Sequence, residues 1–264
     1  MGDWLGLPVL WMSVLILGAV YLYTSAVYLI ITKLAVGEHA KAFKAISPGI
    51  LPPLSVVFAF LVGFLAAQVW NDGQQANAAV NREASALRAI VLLAATFPGE
   101  PEQRLRDLVS RHIQDVVDKD WPAMASDHAN LKFTPPNMAE ALRISLMLNP
   151  QTTGQTIAQR EMVGAIENAL DARRQRIILS HSSINWVKWT ALFAQAALTL
   201  VAIGMVHSDN RRANRIILTI FATSVAAAVI LIAAHSRPFS GEISVQPGIL
   251  MQVMPEPGAS PPAR

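Results

Sequence analysis

The sequence predicts an all-α integral membrane protein with four transmembrane helices in two hairpins and a helical extramembrane domain inserted between the second and third. One observation is the composition, since 53% of the residues are hydrophobic and only 15% are charged, whereas soluble domains have about 25% charged residues. The mean hydropathy of +0.38 agrees with this imbalance. The other observation is that the apolar residues concentrate at both ends of the chain, while the middle is polar.

Residues 1–70 are predicted to form the first transmembrane hairpin, with spans at about 7–31 and 46–70. Neither span contains a charged residue. At a rise of about 1.5 Å per residue, each is long enough to cross a hydrocarbon core of about 30 Å. Because Asp3 is the only charge before the first span, and signal peptides begin with basic residues, the first span is expected to be retained as a helix.

Residues 184–238 are predicted to form the second hairpin, with spans at about 184–206 and 216–234. The third span contains one charge, Lys188, close enough to its end for the side chain to reach the membrane surface. The fourth span is uncharged. The proline-rich tail, residues 239–264, is predicted to be extended or disordered.

The middle of the chain, residues 71–183, is predicted to be a soluble helical domain. Its acidic and basic residues nearly balance, and its apolar residues recur at i, i+3 and i+4, which indicates helices with one buried face. Prolines divide the segment into about four helices, and the first is expected to continue directly from the second span.

The charges of the short loops favour an orientation with the helical domain outside the cytoplasm. Short cytoplasmic loops are enriched in Lys and Arg, and both predicted short loops have such clusters. The basic residues are Lys33, Lys41 and Lys44 in the first loop and Arg211, Arg212 and Arg215 in the second. If the source is a double-membrane bacterium, the protein lies in the inner membrane and the domain in the periplasm. Several arginines on the domain side of the spans, including Arg82 and Arg176, weaken this inference.

No sequence motif points to an enzyme. The chain has no cysteine, no phosphate-binding glycine loop and no nucleophile or zinc-protease motif. Two pairs, His112 with Asp115 and Asp127 with His128, contain metal-ligand residue types, but a helix edge and a solvated face explain them better. We therefore expect no catalytic residue, metal site or cofactor, and the small net charge of +3 gives no reason to expect a nucleic-acid partner.

Bulky apolar residues form one stripe along the second span. They recur every four residues, so they lie on one helical face, and small residues, Gly63 and Ala67, lie nearby. The stripe consists of Pro52, Val56, Phe60 and Phe64. Such residues can simply contact lipid or neighbouring helices, so the stripe alone does not define a function.

Two segments resemble bestrophins. The segment from Pro53 to Phe60, Pro-Leu-Ser-Val-Val-Phe-Ala-Phe, followed by Gln-Val-Trp-Asn ending at Asn71, is similar without gaps to the second transmembrane helix of that family. The segment Arg237-Pro238-Phe239-Ser240-Gly241-Glu242 is similar to the bestrophin Asn-Pro-Phe-Gly-Glu segment, with one extra residue. The whole chain also resembles the bacterial bestrophin-like membrane family, in which an Arg-Pro-Phe-x-Gly segment follows the last span.

The resemblance implies a five-fold ring of subunits whose second helices line an ion pore. The positions that match the family's apolar pore neck are Pro52, Val56 and Phe60. The pore lining or mouth would include Phe64, Trp70, Asn71 and Asp72. The positions that match the structural motif after the last helix are Arg237, Pro238, Phe239 and Gly241.

The chain also departs from animal bestrophins. The acidic run that binds calcium in those proteins is replaced here by Ile243-Ser244-Val245-Gln246, so calcium gating is expected to be absent. Bestrophins place their helical domain in the cytosol, which conflicts with the orientation that the loop charges favour.

The leading functional hypothesis is therefore a passive ion channel, with anions as candidate ions and with the lipid bilayer, inorganic ions and further copies of the chain as partners. The alternative is a membrane-anchored sensor or scaffold whose helical domain binds a ligand or a partner protein.

Overall fold

A computed structural model describes residues 7–132 and 134–255, and these residues form helices and no strand. The all-helical prediction is confirmed for them. The helices are α1 (Val9–Leu34), α2 (Glu38–Lys44), α3 (Leu51–Ala94), α4 (Glu100–Asp115), α5 (Trp121–Ala125), α6 (Pro136–Met147), α7 (Thr153–Ser180), α8 (Trp186–Val206), α9 (Arg211–Ala234) and α10 (Gly248–Gln252).

The described residues form two compact units. Unit 1 consists of the residues up to Asn71, Ser183–Arg237 and Gly241–Ile243. Unit 2 consists of Asp72–Ser182, Pro238–Ser240 and the residues from Ser244 onward. That residues 1–70 and 184–238 lie in the membrane as two hairpins, and that residues 71–183 lie outside it, stays a prediction.

Among the described residues, four helices are long and apolar enough to cross a membrane, and they are α1, the first part of α3, α8 and α9. In unit 1, α1 packs against both α8 and α9. The core of this unit is apolar and includes Met12, Leu65, Leu192 and Val229. Many large apolar side chains of the same helices point outward, as expected for segments that contact lipid or a second copy of the chain.

The fourth apolar helix begins earlier than the sequence predicted. The Asn210 side chain accepts hydrogen bonds of 3.1 Å from the backbone N–H groups of Arg212 and Ala213, which caps the first turn of α9. The basic residues Arg211, Arg212 and Arg215 therefore lie in the first turns of α9 and not in the loop before it.

The second apolar helix begins later than predicted. A 3-10 turn at Pro48–Ile50 precedes it, and α3 starts at Leu51 with Pro52 and Pro53 in its first turn, where a missing N–H costs no helical hydrogen bond. It then continues without a break to Ala94, so the expected continuity between the second span and the first helix of the domain is confirmed.

Unit 2 has its own hydrophobic core. The second part of α3 contributes Leu87, α4 contributes Leu105, α6 contributes Met138 and α7 contributes Ile166, and all four are fully buried. Its apolar surface is thus directed inward, as in a domain surrounded by water.

The tail differs from its prediction where the structure describes it. Residues 239–255 are not extended or disordered, because α10 forms and both Phe239 and Leu250 are buried in the core of unit 2. Burying one such side chain contributes about 1.5–3 kcal/mol, so two anchors offset the proline-rich composition on which the prediction depended. Residues 256–264 lie outside the described residues.

Candidate functional site

The three predicted neck residues share an exposed face of α3. Phe60 is 75% exposed and Val56 is 51% exposed, and Pro52 is exposed as well. The opposite face of the helix is packed, with Phe58 buried at 5.6 Å from the Phe221 ring. The sequence stripe is therefore a surface of unit 1 and not part of its core, although its role as a pore neck stays a prediction.

The predicted mouth residues lie further along the same helix. Phe64, Trp70 and Asn71 are exposed, whereas Asp72 is half-buried. The Lys188 Nζ atom lies 5.8 Å from the Phe64 ring and donates a hydrogen bond of 2.6 Å to the side-chain oxygen of Gln68 on α3. The one charge in the third span is thus held by a neutral amide and an aromatic face.

Beyond Asn71 the exposed side of α3 becomes polar. It carries Gln74, Asn81, Arg82 and Ser85, and the Arg82 guanidinium donates to the side-chain oxygen of Gln175 on α7. A cavity of about 640 Å³ lies in unit 2 between α3 and α7. Its lining includes Asn81, Arg82, Ser85, Asn168, Asp171 and Gln175.

A charged cluster is buried in unit 2. Arg176 and Glu83 are both fully buried, and they form a two-fold contact in which Nε donates to Oε2 at 2.9 Å and Nη2 donates to Oε1 at 3.2 Å. Asp120 accepts from Arg176 at 3.3 Å and from Arg173 at 2.8 Å and 3.0 Å. Such bidentate, charge-assisted contacts hold helices in a defined register.

The environment of Glu83 keeps its carboxylate ionised. Burial raises the pKa of this carboxyl, but the Arg176 guanidinium and the hydrogen bond from His112 outweigh it and leave the pKa below its ordinary value of 4.5. The Nε2 atom of His112 lies 3.4 Å from Oε1 of Glu83. The cluster thus links α3, α4 and α7 through one ionised group.

A π-helical segment, Val116–Asp120, supplies the acidic partner from the next turn. Pro122 follows it and has no N–H, and its ring would clash with the carbonyl four residues earlier in a regular α-helix. Widening the helix relieves that clash. The chain thereby continues into α5 with Asp120 and Trp121 directed at the buried arginine.

The segment after α9 packs on the same cluster. The Phe239 ring meets the Trp121 ring edge to face, with centroids 5.7 Å apart and planes at 82°. The Trp121 Nε1 atom donates to the carbonyl of Val245 at 3.2 Å, and the Arg176 guanidinium carbon lies 4.9 Å from the Trp121 ring centre. Gly241 has φ of +90°, which disfavours any side chain at that turn.

Pro238 of the same segment is buried, and its carbonyl accepts a hydrogen bond of 2.8 Å from the backbone N–H of Val245. Arg237 is half-buried.

The two residue pairs weighed as metal ligands are not brought together. His112 is buried beside Glu83, Asp115 contacts Lys119 and Asn137, and Asp127 binds the exposed His181 at 2.6 Å. Across residues 7–132 and 134–255, no three His, Asp or Glu side chains are grouped so that they could hold a metal ion.

Comparison with known proteins identifies the family of this chain. A model of the Bestrophin-like domain matches residues 18–250. The chain belongs to the Bestrophin-like family. No curated protein sequence matches it.

Two solved structures share its fold, and both are point mutants of a bacterial bestrophin homolog from Klebsiella pneumoniae. One has a TM-score of 0.71 at 10% identity and covers 90% of this chain and 97% of the homolog. The other has a TM-score of 0.66 at 11% identity and covers 89% and 96%, respectively. The Bestrophin-like match includes the predicted neck on α3, the buried charged cluster and the segment after α9.

The buried ion pair of this Bestrophin-like domain was not predicted from the sequence. Glu83 and Arg176 are 93 positions apart, so no local spacing connects them. A signal did exist on each helix, because Glu83 lies in register with the buried residues Val80 and Leu87, and Arg176 lies in register with Ala169 and Ala172. A charged residue on an apolar face is buried only when it is paired.

Proposed function

We propose that this chain is one subunit of an oligomeric ion channel in which the exposed face of α3 lines the conduction path and Pro52, Val56 and Phe60 form an apolar neck. Membership of the Bestrophin-like family supports the proposal. The observation that carries it is the exposure of the large side chains Val56 and Phe60 on a helix whose other face is packed. Such a surface needs lipid or further copies of the chain to cover it.

The proposal requires several copies of the chain. The four apolar helices of the described residues share an apolar core, and a single four-helix unit is too narrow to enclose a channel. A ring of identical subunits creates a central path when each contributes the same helix face. The resemblance to bestrophins favours five copies, and native mass spectrometry of the detergent-solubilised protein would give the number directly.

The neck has a physical role in this proposal. A ring of apolar side chains expels water when it is narrow, and an ion cannot cross a dry constriction without losing its hydration shell. Smaller side chains at Phe60 or Val56 would widen and wet the constriction. Polar residues beyond Asn71 would then keep the rest of the path hydrated.

The test is ion flux into liposomes that contain the purified protein. We expect Phe60→Ala and Val56→Ala to raise the flux above that of the wild type. Leu22→Ala is the matched control, because Leu22 is also 75% exposed but lies on α1, and we expect it to leave the flux unchanged. Tight liposomes in every case, with an intact oligomer, would overturn the proposal.

We propose anions as the conducted ions. From Asn71 to Leu92 on α3, the exposed charged side chains are Arg82 and Arg88, whereas Asp72 is half-buried and Glu83 is fully buried. Arg82 contacts the neutral amide of Gln175, so its charge is not compensated by that contact. Reversal potentials measured in a potassium chloride gradient should show a higher permeability to chloride than to potassium. Arg82→Gln should reduce this preference. A cation preference would contradict it.

The orientation proposed here follows the loop charges, with the short loops in the cytoplasm. Lys44 and Asp209 lie 3.9 Å apart, which places both loops at one end of unit 1. The absence of cysteine allows labelling of single introduced cysteines in intact cells with an impermeant maleimide. We expect Gln114→Cys to react and His39→Cys to be protected, and the reverse pattern would support the cytosolic domain implied by the bestrophin resemblance.

A sensor or scaffold is the second candidate, and the cavity of about 640 Å³ between α3 and α7 favours it. Its lining combines polar side chains with apolar ones such as Leu93 and Ala165, which suits a small amphipathic ligand or a partner's side chains. Affinity capture of the full chain from solubilised membranes tests this candidate. Recovery of the chain alone would count against a scaffold.

A further inference from the structure

One charged residue lies within α8, a helix that is otherwise apolar enough to cross a membrane. It is Lys188, whose side chain is half-buried. Its Nζ atom donates a hydrogen bond of 2.6 Å to the side-chain oxygen of Gln68 and lies 5.8 Å from the centre of the Phe64 ring. Both partners belong to α3, so the ammonium is held against that helix.

The surroundings of this ammonium supply no opposite charge. An amide oxygen and an aromatic ring are uncharged, so these two contacts leave the positive charge uncompensated. The sequence of the apolar helices offers no carboxylate either, because α1, α8, α9 and residues 51–71 contain no Asp or Glu. A lysine near the end of a span usually extends to the membrane surface, but here its hydrogen bond directs it to Gln68.

A charge in this position needs a partner of opposite sign. An ammonium that is partly removed from water without a counter-charge is unfavourable. Ionisable residues within transmembrane segments are rare, and they mark the paths of ions and substrates. Because these helices offer no carboxylate, the partner of Lys188 is expected to be an anion that comes from solution.

The ammonium adjoins the predicted neck. Phe64 follows Phe60 by one helical turn, a rise of about 6 Å, and its side chain is 63% exposed. It therefore lies on the exposed face of α3 that lines the path in the proposed channel. Arg82, in contrast, lies about 33 Å beyond Phe60 along the helix. Lys188 is thus the basic residue placed to act beside the neck itself.

Gln68 contributes hydrogen-bond donors of its own. Its side-chain oxygen accepts from Lys188, so the amide nitrogen of the same group lies beside the ammonium. That nitrogen carries two N–H donors, and the ammonium carries three, of which Gln68 uses one. The two side chains together present a positively charged group of donors, which is the chemistry that binds an anion.

We propose that Lys188 and Gln68 form a binding site for a small monovalent anion such as chloride, beside Phe64. The anion accepts hydrogen bonds from the ammonium and from the Gln68 amide nitrogen, and its charge balances that of Lys188. The site deepens the proposed channel function and rests on it for its place in the conduction path. Binding does not require conduction, so the two can be tested separately.

The binding test is the broadening of the chloride NMR signal by the full-length protein in dodecylmaltoside, a detergent without charged groups. We expect Lys188→Met to lower the chloride affinity at least about fivefold, the factor given by the Coulomb energy of two unit charges about 4 Å apart in water. Lys33→Met is the matched control, because Lys33 is an exposed lysine in the last turn of α1. We expect this control to leave the affinity unchanged.

A second variant tests the site without removing the lysine. Gln68→Glu places a carboxylate within reach of the ammonium, so it balances the charge and should lower the chloride affinity as Lys188→Met does. This variant also replaces Lys188→Met if the latter does not fold. In liposomes, both variants should lower the ratio of chloride to potassium permeability, whereas Lys33→Met should not.

The possible outcomes separate the site from the channel. Equal chloride affinity in the wild type and both variants would overturn the site. Reduced affinity with an unchanged permeability ratio would overturn its place in the conduction path. If phosphatidylglycerol but not phosphatidylcholine abolishes the broadening by the wild type, a lipid phosphate takes this position and the proposal fails. Reduced affinity in both variants, with liposomes that stay tight, would support the site and overturn only the channel.

Discussion

The two units of this protein place polar and apolar groups in opposite ways. Unit 1 exposes large apolar side chains such as Leu22 and Phe60 and keeps charges near the ends of its helices. Unit 2 turns its apolar residues inward and buries a complete ion pair, Glu83 with Arg176, at its centre. The same chain thus follows two sets of packing rules, separated along α3 at about Asn71.

We expect this difference if unit 1 lies in the membrane and unit 2 lies outside it, as the sequence predicts. In water, burying apolar surface stabilises a domain by about 25 cal/mol per Å², which is enough to offset the desolvation cost of one well-paired charge cluster. Between helices in lipid that driving force is absent, so close packing and neutral hydrogen bonds must hold them together. We therefore expect charge substitutions to dominate the stability of unit 2 and shape substitutions to dominate that of unit 1.

The largest effect is expected from removing one partner of the buried pair. Arg176→Met leaves the Glu83 carboxylate without its main counter-charge, and breaking a buried pair in this way costs about 3–5 kcal/mol. Arg174→Met is the matched control, because Arg174 is exposed and its pair with Asp171 is worth at most about 1 kcal/mol. Thermal unfolding of both variants in detergent measures the difference.

The reciprocal change tests the interpretation. The double variant Glu83→Gln with Arg176→Met removes both charges, so it should be more stable than Arg176→Met alone. Equal melting temperatures for Arg176→Met and Arg174→Met would show that the cluster is not a structural centre of unit 2.

The second effect is acid sensitivity. The pKa of Glu83 lies below its ordinary value of 4.5 in the folded protein, so the ionised group stabilises the fold above that value and the stabilisation is lost as the pH falls through the lower, folded pKa. The melting temperature of the wild type should therefore decline below about pH 4.5.

The melting temperature of Glu83→Gln should be lower than that of the wild type above about pH 4.5. It should also decline less as the pH falls, because this variant lacks the titrating group. Glu140→Gln serves as the control, since its carboxyl is also held below the ordinary pKa by Arg143 but lies at the surface. Parallel pH profiles for the wild type and Glu83→Gln would contradict the assignment.

The third effect concerns shape in unit 1. A Cβ atom placed on Gly204 would come within 2.5 Å of the Ile31 Cδ1 atom, so a side chain at this position of α8 would have to displace the end of the Ile31 side chain on α1. Gly204→Val should destabilise the protein by about 1–3 kcal/mol through overpacking. Gly18→Val on α1, with open space around it, should have a smaller effect, and Ile31→Ala should restore part of the loss in a double-mutant cycle.

These two regions also differ in how far the sequence predicts them. Hydropathy over about 20 residues is a local property, so the apolar helices could be located from it. The first residues of two helices, Leu51 and Arg211, differ from the predicted starts because proline and asparagine determine where these helices begin. The exposed stripe of Val56 and Phe60 followed from helical spacing alone, but spacing does not say whether a stripe faces the core or the surroundings.

The buried charged cluster of unit 2 could not be predicted from local sequence patterns. The cluster joins residues from α3, the π-helical segment and α7. Glu83 and Arg176 each lie on the buried face of a helix, but they are 93 positions apart, so no local spacing pairs them. The burial of Phe239 and Leu250 was missed for the same reason, since a short proline-rich segment gains order only from a surface that distant helices provide.

The smallest effect should come from a neutral hydrogen bond in unit 1. The Tyr21 hydroxyl oxygen lies 2.7 Å from the Thr223 hydroxyl oxygen, and because the Thr223 hydroxyl donates to the carbonyl of Thr219 at 2.8 Å, Tyr21 is the donor. Double-mutant cycles between helices in membranes give about 0.6 kcal/mol on average. A cycle of Tyr21→Phe and Thr223→Val, measured by thermal unfolding in bilayer nanodiscs, should give a coupling of that size. A coupling as large as the one expected for Arg176 would mean that unit 1 also depends on polar contacts, and the contrast between the two units would fail.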